Sequence, residues 1–360
     1  MRFSWFLESF QPKLPVNVNI LRFLGQALSM SGDLDVVGVG NAIVDVIASV
    51  PDGFLTLHDI RKGGMTLIDQ MRATELARAF GDKGRFVPGG SGANTIAGIT
   101  SLGGQTGYIG KVAEDALGKF FRKEMSRVQI EFPTESLANG PATARCMIAV
   151  TPDGERSMST FLGASTEFAP EDVDAELIKR GKILYLEGYL FDKEEAKAAF
   201  VHAAEIAKAA KRRVALTLSD SFCVDRHRSS FRHLIKGHVD LVFANEAELL
   251  SLYETTDFDA AVQMLRADAY AGAITRSSKG SVVVTPDEII TMPAEPVKKV
   301  VDATGAGDQY AAGFLFGYAR NRRIRDCAKL GHIAAAEVIS HYGPRPETSY
   351  RQLAVKAGLL

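Results

Sequence analysis

The chain has no apolar run long enough to cross a bilayer, no surplus of either charge, no internal repeat and no low-complexity tract, and each absence removes a class of function. Forty-two Lys and Arg stand against 43 Asp and Glu, a net charge of -1, which builds no broad field for a nucleic acid or a membrane surface. A small-molecule partner remains the default. Cysteine is scarce: Cys146, Cys223 and Cys327 lie far apart, match no C-x-x-C spacing and leave an odd number. They read as free thiols in a reducing cytoplasm, not as a disulfide scaffold or a zinc site. Tryptophan occurs once, at Trp5, and carries no argument.

Residues 1–29 are apolar in part but are interrupted by Glu8, Pro12, Lys13 and Pro15. They supply neither a span of roughly 20 residues nor the unbroken apolar centre of a secretory signal. Globular patterning begins after Met30, so 1–29 are expected to be a dispensable extension or the product of an upstream start.

What the chain does have is alternation. Short apolar stretches at 35–39, 106–110, 182–186, 213–218, 240–243 and 271–275 read as buried strands. Between them, 92–102, 115–127, 193–210, 225–236, 245–252 and 257–268 carry helical periodicity, and the β-α order predicts an α/β fold with a mostly parallel sheet wrapped by helices. One region departs from this order: 143–163 reads as two strands joined by Pro-Asp-Gly, which is hairpin chemistry. With 42–50 and 65–68 it predicts a small sheet folded over the parent domain as a lid. The expected organisation is a main domain over 33–350 and a helical end at 351–360.

Chemistry concentrates in three glycine-bearing or capped turns. In VVDATGAGDQYAAGFLFGYAR (300–320), Gly305 and Gly307 precede an apolar helix, so unshielded backbone N–H groups at its start form a cradle for an anion. Asp308 sits at that same terminus, where a carboxylate would repel a bound phosphate unless it takes a proton from an attacking hydroxyl. The plainer alternative is a helix-capping aspartate. GGSGANT (89–95) opens a second helix, with Asn94 in its first turn. In LVFANEAEL (241–249), Asn245 and Glu248 are one helical turn apart just after a strand; the plainer alternative is a solvated capping pair.

VVGVGNAIVD, GGSGANT, Asn-Glu-Ala-Glu and DATGAGD, in this order along the chain, resemble the ribokinase-like, or PfkB-type, kinase family from about Asp35 to Tyr350. The resemblance implies a three-layer α/β/α sandwich with a small β-sheet lid, ATP as phosphoryl donor and Mg²⁺ as its counter-ion. It implies Asp308 as catalytic base and Gly305, Ala306 and Gly307 as the anion hole. Asn41, Asp45, Gly89, Gly90 and Asn94 would bind the acceptor. Asn245 and Glu248 would hold Mg²⁺ through water, and Asp302 with Thr304 matches the place of a monovalent cation, K⁺. Thr275, Arg276, Ser278 and Gly280, with Asn245, would line the ATP site, although TRSSKGS (275–281) departs from the family there and Ala303 stands where Thr is usual. Arg145, on the lid, would add a positive group; a solvated arginine without a role is the alternative.

Within the family, LTLSDSF, LEGYLF and TARCMIAVTPDGERSMSTFLGAS are similar to the adenosine-kinase branch. The expectation is therefore phosphorylation of the 5′ hydroxyl of a nucleoside, adenosine foremost, by a cytoplasmic monomer or lid-mediated homodimer. A free-sugar kinase and a non-catalytic sugar or nucleoside sensor are the alternatives. A dinucleotide site is disfavoured because Ile43 stands where a third glycine is needed, and a P-loop because Val112 follows GYIGK. His332 and His341, read as part of one apolar helix with no paired acidic ligands nearby, and the run 320–325, read as a solvated helix end and turn, are given no function.

Overall fold

The computed structural model describes residues 33–360; the expected extension 1–29 lies outside them. The main sheet has nine strands: β1 (Leu34–Val39), β5 (Thr106–Ile109), β6 (Ile130–Glu131), β9 (Gly181–Glu187), β10 (Arg213–Thr217), β11 (Leu241–Asn245), β12 (Ala271–Thr275), β13 (Ser281–Val284) and β14 (Ile289–Met292). Their order is β14-β13-β12-β11-β10-β9-β1-β5-β6. All pairs from β12 to β6 are parallel, while β13 and β14 close one edge as an antiparallel hairpin. Strands β6, β13 and β14 go beyond the six expected from the sequence.

Alternation along the strands fixes the layers. Val37 and Val39 of β1, Leu184 and Leu186 of β9, and Val214 and Leu216 of β10 enter one core. That core is covered by helices such as Glu194–Ala209 and Ser221–His238. Val36, Ile183, Tyr185 and Ala215 enter the other, against Ser91–Ser101, Ala306–Ala319 and Ile324–Val338. A side-chain period of two puts successive residues on opposite faces, so strands buried on both sides read as unbroken apolar runs. Full burial of a ring such as Phe314 contributes about 1.5–3 kcal/mol. The layers form the α/β/α sandwich.

The small sheet has the order β3-β8-β7-β2-β4, with β2 (Ile43–Ser49), β3 (Met65–Leu67), β4 (Arg85–Gly89), β7 (Ala144–Val150) and β8 (Arg156–Phe161). Strand β4 is an addition to the segments read from the sequence. Its pairing with β2 sets Gly89 opposite Ile43 and Val87 opposite Asp45. One face of the sheet packs Val46, Ala48, Met147 and Ala149 on Leu76 and Phe80 of the Gln70–Phe80 helix. The other face, bearing Asp45, is turned to the main domain. The C-terminal edge of the parallel strands, on either side of β1, therefore meets this face across a cleft, the usual ligand position in such sheets.

Candidate active site

Asp308 occupies the first turn of Ala306–Ala319, whose N-cap is Gly305 at φ 80°. Its carboxylate does not cap its own helix among the described residues. Instead Oδ1 accepts from Ser91 Oγ at 2.6 Å and Oδ2 from Asn94 Nδ2 at 3.2 Å, both from the start of the Ser91–Ser101 helix. Two neighbouring helix starts of the main domain are thereby tied together at the floor of the cleft. Burial pushes the Asp308 carboxyl up to about 6, against the lowering effect of Ser91, Asn94 and the nearby Arg345 charge. A Cβ on Gly307 would meet nothing within 4 Å, leaving space beside the helix N-terminus, while one on Gly305 would strike Pro344 at 2.7 Å. Ala306 N–H already donates to the Ala303 carbonyl at 3.2 Å, so the space beside Gly307, at the start of the helix and next to a carboxylate that can take up a proton, is the place for an anion and a hydroxyl together.

Asp45, on β2, is 8% exposed and is also pushed up to about 6, by burial first and then by the Asp308 charge, with Arg156 and Arg345 opposing. A side chain at Gly89 would displace the Asp45 carboxylate, because its Cβ would lie 2.4 Å from Asp45 Oδ1. At Gly90, φ is 88° and a Cβ would lie 2.3 Å from the Asn41 carbonyl oxygen. Asn41 is buried and donates from Nδ2 to Glu187 Oε1 at 2.9 Å, while Gly92 N–H donates to Glu187 Oε2 at 2.7 Å. Glu187, pushed up to about 7 by burial, thus staples the chain segments that carry Asn41 and Asn94.

Arg145 is not brought to this cleft. It lies opposite Val44 on β2, one residue out of phase with Asp45, and its Nη2 donates to Thr74 Oγ1 at 2.8 Å on the far side of the small sheet. The small sheet does present Arg156, on β8, which forms a buried ion pair with Asp302, and the exposed Arg85, on β4, which lines the same cleft. Asp302 also accepts from the N–H groups of Thr304 (2.9 Å) and Gly343 (2.9 Å). Burial opposes ionisation there, but these bonds and the Arg156 charge hold Asp302 below the ordinary carboxylate range. With a guanidinium already on it, this carboxylate does not fit a monovalent cation as well.

Beyond Asp308 lies a cavity of about 360 Å³ lined by Asn245, Glu248, Thr275, Ser277, Gly280, Ala303 and Gly307, among others. Arg276 turns away from it: its guanidinium pairs with Glu246 at 2.8 Å and stacks on Phe258. Ser277, at φ 50°, lines the cavity where Ser278 was expected to. Asn245 and Glu248 form a reciprocal capping box, with Glu248 N–H to Asn245 Oδ1 and Asn245 N–H to Glu248 Oε2 both at 2.9 Å. The plainer alternative of a solvated pair holds for Asn245, which is exposed, but not for Glu248, which is 5% exposed and pushed up to about 7 by burial, with Asp220 and Asp308 adding to the effect. Hard oxygen donors in mutual repulsion suit a divalent cation nearby, and with both Glu248 oxygens engaged they suit a hydrated one.

The residues missed by sequence reasoning are Ser91, Arg156, Glu187 and Arg345. Ser91 stood inside a quoted motif, and Glu187 is a charge at the end of an apolar strand. Arg345 Nε donates to Asn94 Oδ1 at 3.1 Å from 251 positions away, with only Gly-Pro-Arg-Pro as a local signal. The histidines also differ from expectation. His332 is buried and bonded to Ser281 Oγ at 2.9 Å, whereas His341 lies beyond the helix end at Val338 and pairs with Glu337 at 3.1 Å.

Residues 60–349 match the pfkB family of carbohydrate kinases. The chain belongs to that family. It is 49% identical to the adenosine kinase of Sinorhizobium meliloti, whose crystal structure superposes with a TM-score of 0.84 over 90% of this chain and 99% of that one. The structure of a probable sugar kinase from Rhizobium etli gives 46% identity and a TM-score of 0.85, over 91% and 100% of the two chains. The adenosine kinase of Saccharomyces cerevisiae is 25% identical over 86% of this chain and 95% of its own length. As a pfkB kinase the protein uses ATP as phosphoryl donor, and no helix among its described residues is long and apolar enough to cross a membrane.

Proposed function

We propose that the protein transfers the γ-phosphoryl group of ATP to the 5′ hydroxyl of a nucleoside, adenosine foremost. The observation that carries this reading is a carboxylate with a raised proton affinity, Asp308, in the first turn of the helix that starts at the 305–307 glycine turn. The 49% identity to an adenosine kinase supports the nucleoside.

In this reading Asn41, Asp45, Gly89, Gly90 and Asn94 hold the acceptor so that its hydroxyl reaches Asp308. The hydroxyl oxygen bonds to the γ-phosphorus as the bond to the bridging oxygen of ADP breaks, and the proton passes to Asp308. The amides of 305–307 stabilise charge on the transferred group. Thr275, Ser277 and Gly280 line the nucleotide side. Asn245 and Glu248 would hold Mg²⁺ through its water shell; when bound, Mg²⁺ neutralises phosphate charge. No step runs through a monovalent cation, because Arg156 serves Asp302.

A free sugar as acceptor is the second reading, favoured by the 46% identity to a probable sugar kinase. Phosphorylation of adenosine, inosine, guanosine, cytidine, ribose and fructose, assayed in parallel, separates the two. Turnover of adenosine is expected, and turnover confined to a free sugar would overturn the acceptor while leaving the chemistry intact.

A further inference from the structure

Arg345 lies in the loop between Ile324–Val338 and Tyr350–Lys356, outside every motif considered above. Its side chain lines a second cavity, of about 1230 Å³, between the small sheet and the main domain. Arg345 Nε donates to Asn94 Oδ1 at 3.1 Å, and Asn94 Nδ2 donates to Asp308 Oδ2 at 3.2 Å. The Asn94 amide is therefore clamped at both ends. If it turned over, its NH₂ would face a guanidinium and its oxygen a carboxylate, and both contacts would become repulsive. The loop itself is anchored: Gln309 Nε2 donates both to the Asn94 carbonyl (3.0 Å) and to the Pro344 carbonyl (2.8 Å).

We propose that Arg345 is a positioning residue for phosphoryl transfer: by fixing the Asn94 amide with its NH₂ toward Asp308, it holds the carboxylate of the base facing the nucleotide cavity. The inference rests on Asp308 as the base. Arg345 is also the cation that lowers Asp308 directly by its charge. The other ionisable groups whose environment Asp308 enters are the carboxyls of Asp45, Glu187 and Glu248. The phenols of Tyr108, Tyr185, Tyr189 and Tyr350 also feel it. Every one of these is neutral or negative, so none of them replaces the charge of Arg345.

The test is a kinetic cycle on the full-length enzyme with Arg345→Met, Arg345→Lys, Asn94→Ala and the double variant Asn94→Ala/Arg345→Met, with Asp308→Asn alongside. Arg345→Met should lower kcat about 10- to 100-fold with a much smaller change in KM for the acceptor. It should also move the acid limb of the kcat profile to higher pH, and Arg345→Lys should restore most of the rate. The double variant should be within about twofold of Asn94→Ala, because one residue acts through the other. Multiplicative losses, an unmoved acid limb, or a lowered melting temperature with kcat intact would overturn the positioning role. Should Arg345→Met not fold, the same cycle run with Arg345→Gln, which also removes the charge, decides by the same additivity criterion. An Asp308→Asn enzyme that stays active overturns the base instead, so the two ideas fail separately.

Discussion

On one side of Asp308, five distant stretches of chain contribute interlocked side chains: Asn41 and Asp45, Ser91 and Asn94, Arg156, Glu187, and Arg345. On the other side the cavity is lined largely by small residues, Ala273, Thr275, Ser277, Gly280, Ala303, Ala306 and Gly307, with the Asn245–Glu248 box at its edge. The first region concentrates buried charge, and three of its carboxyls, with Asp308 counted, are pushed up to about 6 or 7. The second offers mainly backbone and shape. The difference teaches where selectivity can be tuned: interlocked charges tolerate little change, whereas a backbone-lined cavity depends on conformation more than on side-chain identity.

The sharpest way to break this contrast is at the boundary. Asp308→Asn should lower turnover about 10²- to 10⁴-fold in an ATP-dependent phosphorylation assay, and a loss under tenfold would remove the base from the acceptor side. Next, Gly89→Ala drives a methyl to within 2.4 Å of the Asp45 carboxylate. It should raise the acceptor KM by at least about tenfold while leaving the KM for ATP near its original value. The mirror experiment is Gly280→Ala. There φ is 88° and the new Cβ would lie 1.9 Å from the Met292 carbonyl, so the ATP KM should rise and the acceptor KM should not. Equal effects on both substrates in either variant would erase the distinction between the two sides.

The smallest expected effect is on stability. The folded-state value of Asp308, about 6, lies above its ordinary 3.8. The native protein therefore takes up this proton before the unfolded chain does as pH falls. Its charged form weakens the fold above about pH 6, and that penalty fades as pH drops through 6 toward 4. Asp308→Asn should raise the melting temperature by a few degrees at pH 8, with the gain shrinking at pH 5. A lower melting temperature at pH 8 would show that Ser91 and Asn94 need the ionised partner more than the fold resists it.

The contrast also explains what was legible in the sequence. The parallel strands could be read because burial on both faces leaves short apolar runs, and the kinase chemistry because DATGAGD and GGSGANT pack their signals into seven residues each. The edge hairpin of β13 and β14 and the added lid strand β4 were not read, since RFVPG (85–89) contains a proline and only its end is buried. Arg145 and Arg156 show the limit for side chains. Both sit on the lid hairpin, but strand parity and pairing decide which faces the cleft, and parity depends on the register with β2. Arg345 lay out of reach because its partner Asn94 is 251 positions away and nothing local marks the contact.

The way the small sheet is attached has a mechanical consequence. The backbone crosses between the two bodies at Gly40–Ala42, at Gly90, at Ala142–Thr143 and at Leu162–Gly163. These crossings lie in two adjacent pairs: Gly90 backs onto the Asn41 carbonyl, and Gly163 onto the Ala142 carbonyl, which accepts from Ala164 N–H at 2.9 Å. Two pairs of threads define a line, as two hinges hang a door, and rotation about that line is the soft motion of such a body. Asp45 rides on the door leaf and Asp308 on the frame, while the bolt, Arg156 on Asp302, catches away from the axis. Swinging the leaf would draw the bolt and part the two aspartates in one movement.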